Sequence, residues 1–388
     1  MKKETKLVFT GDIGFDHYMD HKWEDPDLLA PEVAGLFAGA DHVIINLEGA
    51  LVDPDTERMQ AAETRLMHTI DPAAVCVLKN MHADIWNLVN NHMMDAGPYG
   101  LQMTLEEAKR AGALTIGAGM DQKEAEQPVI LQEAGGIGMF GVGYRRGCKP
   151  AGENQAGCFL WHEMDRIRDT ISEIKRKCRW CVLVVHGGEE FTALPSPYTR
   201  NRYLQYLDMG ADVIVGHHPH VPMNYERVGD KIIFYSLGNF IFDTDYQRAQ
   251  YHTEEGVVLT LTFTEEQWTF RADGIRIDRE REKIVSAGLP RIFVDIPEKE
   301  FALLSPLSVK MFIAATKRQQ LFLYPEKFRN ATEEEWTEHF MDPKRSGRVI
   351  GEGLDFQVLL PIAEEAEKGL WKQSTLEDIK AYILEQMI

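Results

Sequence analysis

Seven short apolar runs, rich in β-branched residues, recur along the chain up to residue 236. They occupy residues 6–10, 42–46, 85–90, 137–143, 181–185, 212–216 and 231–236. Continuous apolar runs without alternation are typical of strands buried on both faces. Helical patterns separate most of these runs, at residues 27–38, 72–81, 99–111, 160–178 and 199–209. The alternation predicts an α/β fold with a largely parallel or mixed sheet.

The pattern changes after residue 250. The segment EGVVLTLTFTEEQWTFRADGIRI (255–277) predicts an antiparallel hairpin that extends the sheet. Charged residues and then Pro290 and Pro297 follow it, and helical stripes begin near residue 298. These stripes occupy residues 300–323, 332–341, 354–367 and 374–387. We therefore predict two parts, an α/β domain at 1–290 and a helical region at 298–388.

The charge balance narrows the function classes. The 388 residues carry 42 Lys plus Arg against 61 Asp plus Glu, a net charge of −19. This excess disfavours nucleic-acid binding, which needs a basic face. No segment has the ~7–15 apolar residues of a signal peptide or the ~20 of a membrane span. We expect a cytoplasmic protein without a membrane span, and the five scattered cysteines suit a reducing compartment.

One cysteine pair has two interpretations. Cys178 and Cys181 form a C-x-x-C motif, which occurs in redox sites and as half of a zinc site. The sequence has no second C-x-x-C, and Cys181 opens an apolar strand. The structural interpretation, two cysteines at a junction between a helix and a strand, is therefore favoured.

Polar side chains that can bind metals follow six of the apolar runs. They are Asp12; Asn46 and Glu48; Asn91, His92 and Asp95; His186 and Glu190; His217, His218 and His220; and Asn239. In open α/β sheets, ligands bind beyond the carboxyl ends of the strands. Taken singly, Asp12 is equally well explained as a turn cap and Asn91 as an Asx turn. The set as a whole favours a catalytic site for one or two divalent ions of Mn, Fe or Zn.

Several stretches resemble one known family. FTGDIGF (9–15), INLEGAL (45–51), NNHMMDAGPYGLQMT (90–104), HGGEE (186–190), VGHHPHVP (215–222) and YSLGNFIF (235–242) resemble the CapA family of poly-γ-glutamate capsule synthesis proteins. That family lies within the calcineurin-like metallophosphoesterase superfamily. The resemblance implies a four-layer α/β/β/α sandwich with a metal site at the strand ends.

The resemblance also implies a role for each polar residue. Asp12 and His220 would bind a first ion, Glu48 would bridge two ions, and Asn91, His186 and His218 would bind the second. His92 would act as general acid or stabilise the leaving group, with its ring oriented by Asp95. The residues implied to support the ligands or face the substrate are Asn46, Glu190, His217 and Asn239.

The chain departs from the pattern of this superfamily at two positions. The usual Asp-x-His becomes Asp12-Ile13-Gly14, so one histidine of the first ion is missing, and neither Asp16 nor His17 has the spacing of a direct replacement. A glycine, Gly187, follows His186 where the family usually has an aromatic residue, which predicts open space near the metal. CapA-type proteins are also often membrane-anchored, and the sequence predicts no anchor here.

Two functions fit these residues. The first is a metal-dependent hydrolase of a phosphoester or a related acyl linkage, acting on an anionic small molecule or polymer. The alternative is a non-catalytic, accessory protein that binds polymer during capsule or envelope assembly. Both use the same residues, and the sequence indicates no oligomeric state.

Overall fold

Two β-sheets form the centre of the protein. The computed structural model describes residues 4–53, 68–144, 148–341 and 356–388, so the first two residues of the predicted helix 354–367 lie outside the described part. Within these ranges, one mixed sheet has eight strands and the second has six.

The strands, in chain order, are β1 (Thr5–Ile13), β2 (His42–Leu47), β3 (Ala50–Leu51), β4 (Thr69–Ile70), β5 (Ala83–Asn87), β6 (Leu114–Ile116), β7 (Ala118–Gly119), β8 (Val129–Leu131), β9 (Ile137–Gly143), β10 (Gly157–Cys158), β11 (Trp180–His186), β12 (Val213–His217), β13 (Tyr225–Val228), β14 (Lys231–Phe234), β15 (Asn239–Ile241), β16 (Glu255–Phe263), β17 (Trp268–Asp278) and β18 (Lys283–Ala287). The α-helices are α1 (Pro31–Ala34), α2 (Val75–Asn80), α3 (Gly97–Ala111), α4 (Gln122–Ala125), α5 (Met164–Lys177), α6 (Pro197–Met209), α7 (Asp245–Arg248), α8 (Glu298–Leu304), α9 (Ser308–Leu323), α10 (Pro325–Phe328), α11 (Glu333–Met341), α12 (Phe356–Glu365) and α13 (Glu377–Gln386).

The first sheet has the order β18-β17-β16-β1-β2-β5-β6, with β15 also paired to β1. Strands β1, β2, β5 and β6 run parallel. The predicted hairpin is confirmed as β16 and β17, which pair antiparallel and extend this sheet from β1. The second sheet has the order β13-β14-β12-β11-β9-β8, and its four inner strands run parallel.

Packing of the buried side chains produces four layers. Phe9 of the first sheet and Val184 of the second belong to one apolar cluster between the sheets. On its other face the first sheet packs against helices that include α3, through Leu101. The second sheet is covered by α5 and α6, through Ile171 and Tyr206. The predicted α/β/β/α sandwich is confirmed, because each sheet is apolar on both faces and needs a layer on each.

The C-terminal helices pack against the layer that covers the second sheet. Tyr382 and Ile383 of α13 share an apolar cluster with Leu194. The Ala193 backbone N–H donates to Gln386 Oε1 at 2.6 Å. A helical region after the sandwich is thus confirmed, while the division into domains at 290 and 298 stays a prediction. In the described parts of the chain, none of the helices combines the length and apolarity needed to cross a bilayer.

The sequence patterns misplaced several local elements. The predicted helix 27–38 contains only the single turn of α1, because Gly35 ends it and Gly39 takes a left-handed φ of 88°. Strands β6, β8, β13 and β18 were not predicted, since they are short edge strands whose exposed or partly exposed positions leave no long apolar run. Strand β18 pairs with β17 inside the stretch expected to interrupt the fold.

The C-x-x-C motif has the structural role that the sequence favoured. Cys178 directly follows α5 and Cys181 lies in β11, and both are buried free thiols. Burial raises the pKa of both thiols, which disfavours the thiolate that redox chemistry and metal binding require.

Candidate metal centre

Strand register brings polar side chains from both sheets to one end of the sandwich. In the first sheet, Asp12 lies opposite both Asn46 and Asn239. In the second sheet, His186 pairs with His217. The two sheets meet where His217 Nδ1 approaches Asp12 Oδ1 at 3.3 Å. The ends of parallel strands in both sheets therefore contribute to one shared site, as the rule for open α/β sheets predicts.

Five buried side chains form two overlapping groups. Glu48, His186 and His218 make one group, and Asp12, Glu48 and His220 make the other. Within each group the ligand atoms all lie within 4.8 Å of one another. Glu48 Oε1 is 3.7 Å from His186 Nε2 and 3.5 Å from His220 Nε2. The structure thus places Glu48 between two potential ion sites, which is the position that the resemblance implied.

Several buried polar atoms in these groups have no hydrogen-bond partner among the described residues. They include both carboxylate oxygens of Glu48 and both ring nitrogens of His218. Buried polar atoms in folded proteins are almost always paired, so an unpaired set calls for a missing partner. Carboxylate oxygens and imidazole nitrogens are ligands for divalent Mn, Fe and Zn. The residues therefore fit a bound cation.

Amide side chains lie within hydrogen-bond distance of two members of these groups, Asp12 and His186. Asn46 Nδ2 donates to Asp12 Oδ1 at 2.9 Å and lies 3.2 Å from His186 Nδ1. Asn87, which the sequence analysis did not single out, donates to Asn46 Oδ1 at 2.8 Å. Asn91 Oδ1 lies 2.7 Å from His186 Nε2. Asn46 and Asn91 thus lie next to the ligand groups, and their supporting and ligand roles stay predictions.

Two further residues of the predicted set, Asn239 and Glu190, lie beside the imidazole ligands. Asn239 Oδ1 is 3.0 Å from His220 Nδ1 and fixes that ring. Glu190 is partly exposed, with Oε1 3.8 Å from His218 Nε2. Every site residue that the sequence predicted therefore lies in or beside this one end of the sandwich, while their roles stay predictions.

Burial and charge set the protonation of the ligand groups. Burial raises the pKa of Glu48 well above its usual range. Burial also opposes ionisation of Asp12, but hydrogen bonds with His217 and His220 hold its pKa below the ordinary value. Burial lowers the pKa of His218 to about 4. It acts the same way on His220, but the charges of Glu48 and Asp12 raise that pKa to about 10.

His92 lies beside the two groups with its own carboxylate partner. Its Nδ1 is 2.7 Å from Asp95 Oδ2, and its backbone N–H donates to Asn90 Oδ1 at 3.0 Å. Burial, and next the nearby His68, lower the pKa of His92. The carboxylate holds the proton on Nδ1, so Nε2 is left to exchange a proton with a ligand.

The missing histidine of the first ion has a steric explanation. A Cβ at Gly14 would lie 2.6 Å from the Phe242 ring, so the aromatic side chain occupies the space of any side chain at position 14. Asp16 does not replace the histidine, because its Oδ2 is paired with His68 Nδ1 at 2.6 Å. His17 is exposed to solvent. The first group consequently has three protein ligands among the described residues.

The open space predicted beside Gly187 is absent, which corrects that expectation. A Cβ at Gly187 would lie 2.8 Å from Tyr144 Cβ and 3.0 Å from the Trp161 ring. The Tyr144 ring also approaches the His218 ring, at 4.7 Å between centroids. Aromatic side chains from elsewhere in the chain fill the position that a neighbouring aromatic residue would otherwise take.

Three contributors to the site were missed in the sequence. Asn87 stands within the apolar run 85–90 and had the same positional signal as Asn46. His68 belongs to no motif and follows no predicted strand, and Tyr144, although it directly follows the predicted strand 137–143, is not a typical metal ligand. Only the tertiary packing brings their rings against His92 and His218.

Comparison with known proteins indicates the family of this chain. A family model described as "Bacterial capsule synthesis protein PGA_cap" matches residues 6–244. "PGA biosynthesis protein CapA" of Bacillus subtilis (strain 168) is 30% identical over 257 residues, covering 64% of this chain and 67% of that protein. "Capsule biosynthesis protein CapA" of Bacillus anthracis is 31% identical over 242 residues, covering 59% and 58%.

A more distant relative is also named for polymer synthesis. "Probable polyglutamine synthesis accessory protein" of Mycobacterium tuberculosis (strain ATCC 25618 / H37Rv) is 24% identical over 216 residues, covering 52% of this chain and 56% of that protein. The alignments thus span between just over half and about two thirds of these relatives. The structure of a purple acid phosphatase from yellow lupin seeds aligns with 74% of this chain and 55% of the phosphatase chain, at 8% identity. Its TM-score of 0.38 is too low to support a conclusion about fold or function. Because the family model matches more than half of the chain, the chain belongs to the bacterial capsule synthesis protein family PGA_cap, the family of the CapA proteins.

Proposed function

We propose that this chain is a metal-dependent hydrolase of a phosphoester or a related acyl linkage. The observation that carries the proposal is the pair of buried ligand groups that share Glu48, with unpaired polar atoms, next to the His92–Asp95 pair. Paired metal sites are used to stabilise both the attacking and the leaving oxygens of a displacement at phosphorus.

The proposed ligands come from both sheets. Asp12, Glu48 and His220 would hold one ion, and Glu48, Asn91, His186 and His218 would hold a second. Bound Mn, Fe or Zn would supply Lewis acidity and stabilise the negative charge that develops during hydrolysis. Neither oxygen of Glu48 has a hydrogen-bond partner in the described part of the chain, so a bound cation would offset the cost of burying this carboxylate.

His92 is the proposed general acid. Its Nδ1 is held by Asp95 at 2.7 Å, which leaves Nε2 to give a proton to the leaving oxygen. The acid acts last in the displacement, when negative charge builds on the leaving group. Asn239, which fixes His220, and Glu190 at the site edge are proposed to support the ligands or face the substrate.

The substrate we propose is an anionic small molecule or polymer. The net charge of −19 repels anions at long range, so bound cations would be needed to attract one to the site. A cytoplasmic location and the absence of nucleic-acid partners are parts of the same proposal.

A second function has its own support. The names of the relatives refer to capsule biosynthesis and, for the mycobacterial protein, to an accessory role. The first ligand group has only three protein ligands among the described residues. Both observations favour a non-catalytic chain that binds polymer during capsule or envelope assembly, with any ion in a structural role.

Elemental analysis and a substrate panel distinguish the two functions. The purified chain is analysed for transition metals and then assayed with phosphodiesters and phosphomonoesters in the presence of added Mn²⁺. Glu48→Gln is expected to lower bound metal and to reduce turnover by at least about 100-fold, since Glu48 belongs to both groups. Glu173→Gln, which alters a surface ion pair with Lys177, is the matched control and should leave both unchanged.

The outcomes separate the hypotheses cleanly. Metal-dependent turnover that His92→Ala abolishes would rule out a purely accessory role. If the chain binds no transition metal and Glu48→Gln changes neither metal content nor turnover, the hydrolase proposal is wrong.

A further inference from the structure

A second imidazole–carboxylate pair lies against the proposed acid. His68 Nδ1 is 2.6 Å from Asp16 Oδ2, matching the 2.7 Å between His92 Nδ1 and Asp95 Oδ2. The two imidazole rings are in edge-to-face contact, with centroids 4.1 Å apart and planes at 86°. Both His68 and Asp16 are largely buried, with about one sixth of each side chain exposed. Two such pairs in direct contact hold each other's rings in fixed orientations.

His68 also touches the carboxylate that orients His92. The His68 backbone N–H donates to Asp95 Oδ2 at 3.0 Å. The same oxygen accepts from His92 Nδ1. Asp95 Oδ2 is therefore fixed by two donors, one from each histidine. Because the backbone N–H survives any substitution at position 68, the role of the His68 ring can be tested without removing this bond.

The side chain that fills the space beside Gly14 contacts both the His68 ring and the ligand groups. The Phe242 ring fills the space next to Gly14. Its centroid lies 4.8 Å from the centroid of the His220 ring and 5.3 Å from the centroid of the His68 ring. A row of rings thus runs from the proposed ligand His220, through Phe242 and His68, to His92.

From these contacts we propose that His68, held by Asp16, is a positioning residue that fixes the ring and tautomer of His92. This inference rests on the proposed hydrolase function. In that reaction the oxygen of water bonds to phosphorus, and the bond to the leaving oxygen breaks with its electron pair. The leaving oxygen takes the proton from His92 Nε2, and a proton of the attacking water, released to solvent, later replaces it. Loss of the His68 ring should therefore weaken proton donation rather than substrate binding.

Leaving-group dependence measures proton donation directly. The full-length protein is assayed with added Mn²⁺ on aryl phosphodiesters that range from phenyl to 4-nitrophenyl esters. 4-Nitrophenolate leaves readily without a proton, whereas phenolate needs the acid. His68→Ala should lower kcat for the phenyl ester by about tenfold and for the 4-nitrophenyl ester by less than about twofold, with KM unchanged. His68→Phe, which restores an aromatic ring, should recover most of the loss.

The matched control is His42→Ala. His42 forms the same kind of pair, with Nδ1 2.7 Å from Asp84 Oδ2, at the opposite end of β2 from the site. It should not alter the dependence on the leaving group. An equal fall in kcat for every ester in His68→Ala, or no fall, would overturn the positioning role.

A second measurement does not need activity. In protein labelled with ¹⁵N-histidine, the His92 signal is assigned by its loss in His92→Gln. At a pH where the His92 ring is neutral, this signal should show a proton on Nδ1 in the wild type and a mixture of tautomers in His68→Ala. An unchanged His92 signal in His68→Ala would contradict the proposal. If the wild type hydrolyses no ester, the hydrolase function fails, and the tautomer measurement still decides whether His68 positions His92.

Discussion

Two carboxyl groups a few ångströms from the same histidine differ in how they are held. Asp12 accepts from the Asn46 side chain at 2.9 Å and from the His218 backbone at 3.3 Å. Among the described residues, Glu48 has no hydrogen-bond partner for either oxygen. Burial acts to raise the pKa of both acids, but hydrogen bonds with His217 and His220, and the charges of these rings, hold the pKa of Asp12 below its ordinary value, whereas that of Glu48 is raised. The partners of each carboxylate therefore decide which acid is ionised without a cation.

A residue-scale prediction concerns His42. Its hydrogen bond with Asp84, which outweighs the effect of burial, raises the pKa of His42. A raised folded-state pKa stabilises the protein in full below the unfolded value of about 6.5, and this contribution is lost as the pH rises through the folded value. His42→Gln should therefore lower the free energy of unfolding more at about pH 5.5 than at about pH 8. The difference should be about 0.5 kcal/mol, because the pair is partly exposed.

Urea unfolding at the two pH values checks this prediction. His21→Gln is the control, because His21 is largely exposed, with 68% of its side chain accessible. A cost for His42→Gln that is equal at both pH values, or larger at the higher one, would contradict it.

At the scale of elements, close contact between a strand and a helix depends on small residues. Gly138 lies in β9, and a Cβ there would be 2.3 Å from Ile174 Cγ2 of α5. Ile174 is fully buried in the cluster on that side of the second sheet. A glycine inside a strand thus marks the point where the helix approaches the sheet most closely.

Gly138→Ala should destabilise the protein by about 1–3 kcal/mol, since the added methyl group forces Ile174 and the helix to move. Gly288→Ala is the matched control, because no atom lies within 4 Å of its Cβ position. The midpoint of chemical unfolding is the measurement. Equal midpoints for the two variants would show that the helix moves away without cost.

Across the whole molecule, one tyrosine of the last helix contacts the first sheet. Tyr382 of α13 is buried, and its ring stacks on the His252 ring at 3.9 Å between centroids. Its hydroxyl donates to Glu255 Oε2 in β16 at 3.2 Å. The chain terminus thereby contacts a strand of the first sheet as well as the layer over the second.

Tyr382→Ala should loosen α13 and cost about 3 kcal/mol, the usual effect of removing a buried aromatic ring. Hydrogen exchange of the backbone amides in residues 377–386 should become faster. Tyr324→Ala is the control, because Tyr324 is 54% exposed. Unchanged exchange in residues 377–386 would mean that other contacts of the helix suffice to hold it.

The sequence by itself determined the central elements and the positions of the residues proposed as ligands. Apolar runs without alternation identified seven of the inner strands, because a strand buried on both faces has no polar positions. Asp12, His186 and His218 were singled out because the carboxyl ends of parallel strands are where polar side chains converge. The edge strands β8 and β18 have partly exposed positions and no long apolar run, and they were missed for that reason.

Contacts between residues distant in sequence were decided only by the tertiary structure. The sequence shows that Gly14 breaks a family pattern, but only packing shows that Phe242 fills the space. It likewise predicts room beside Gly187, where Tyr144 in fact lies. The contact of His68 with His92 depends on the same packing. Local patterns report whether a side chain is buried, whereas the identity of its neighbour depends on how the two sheets and their loops meet.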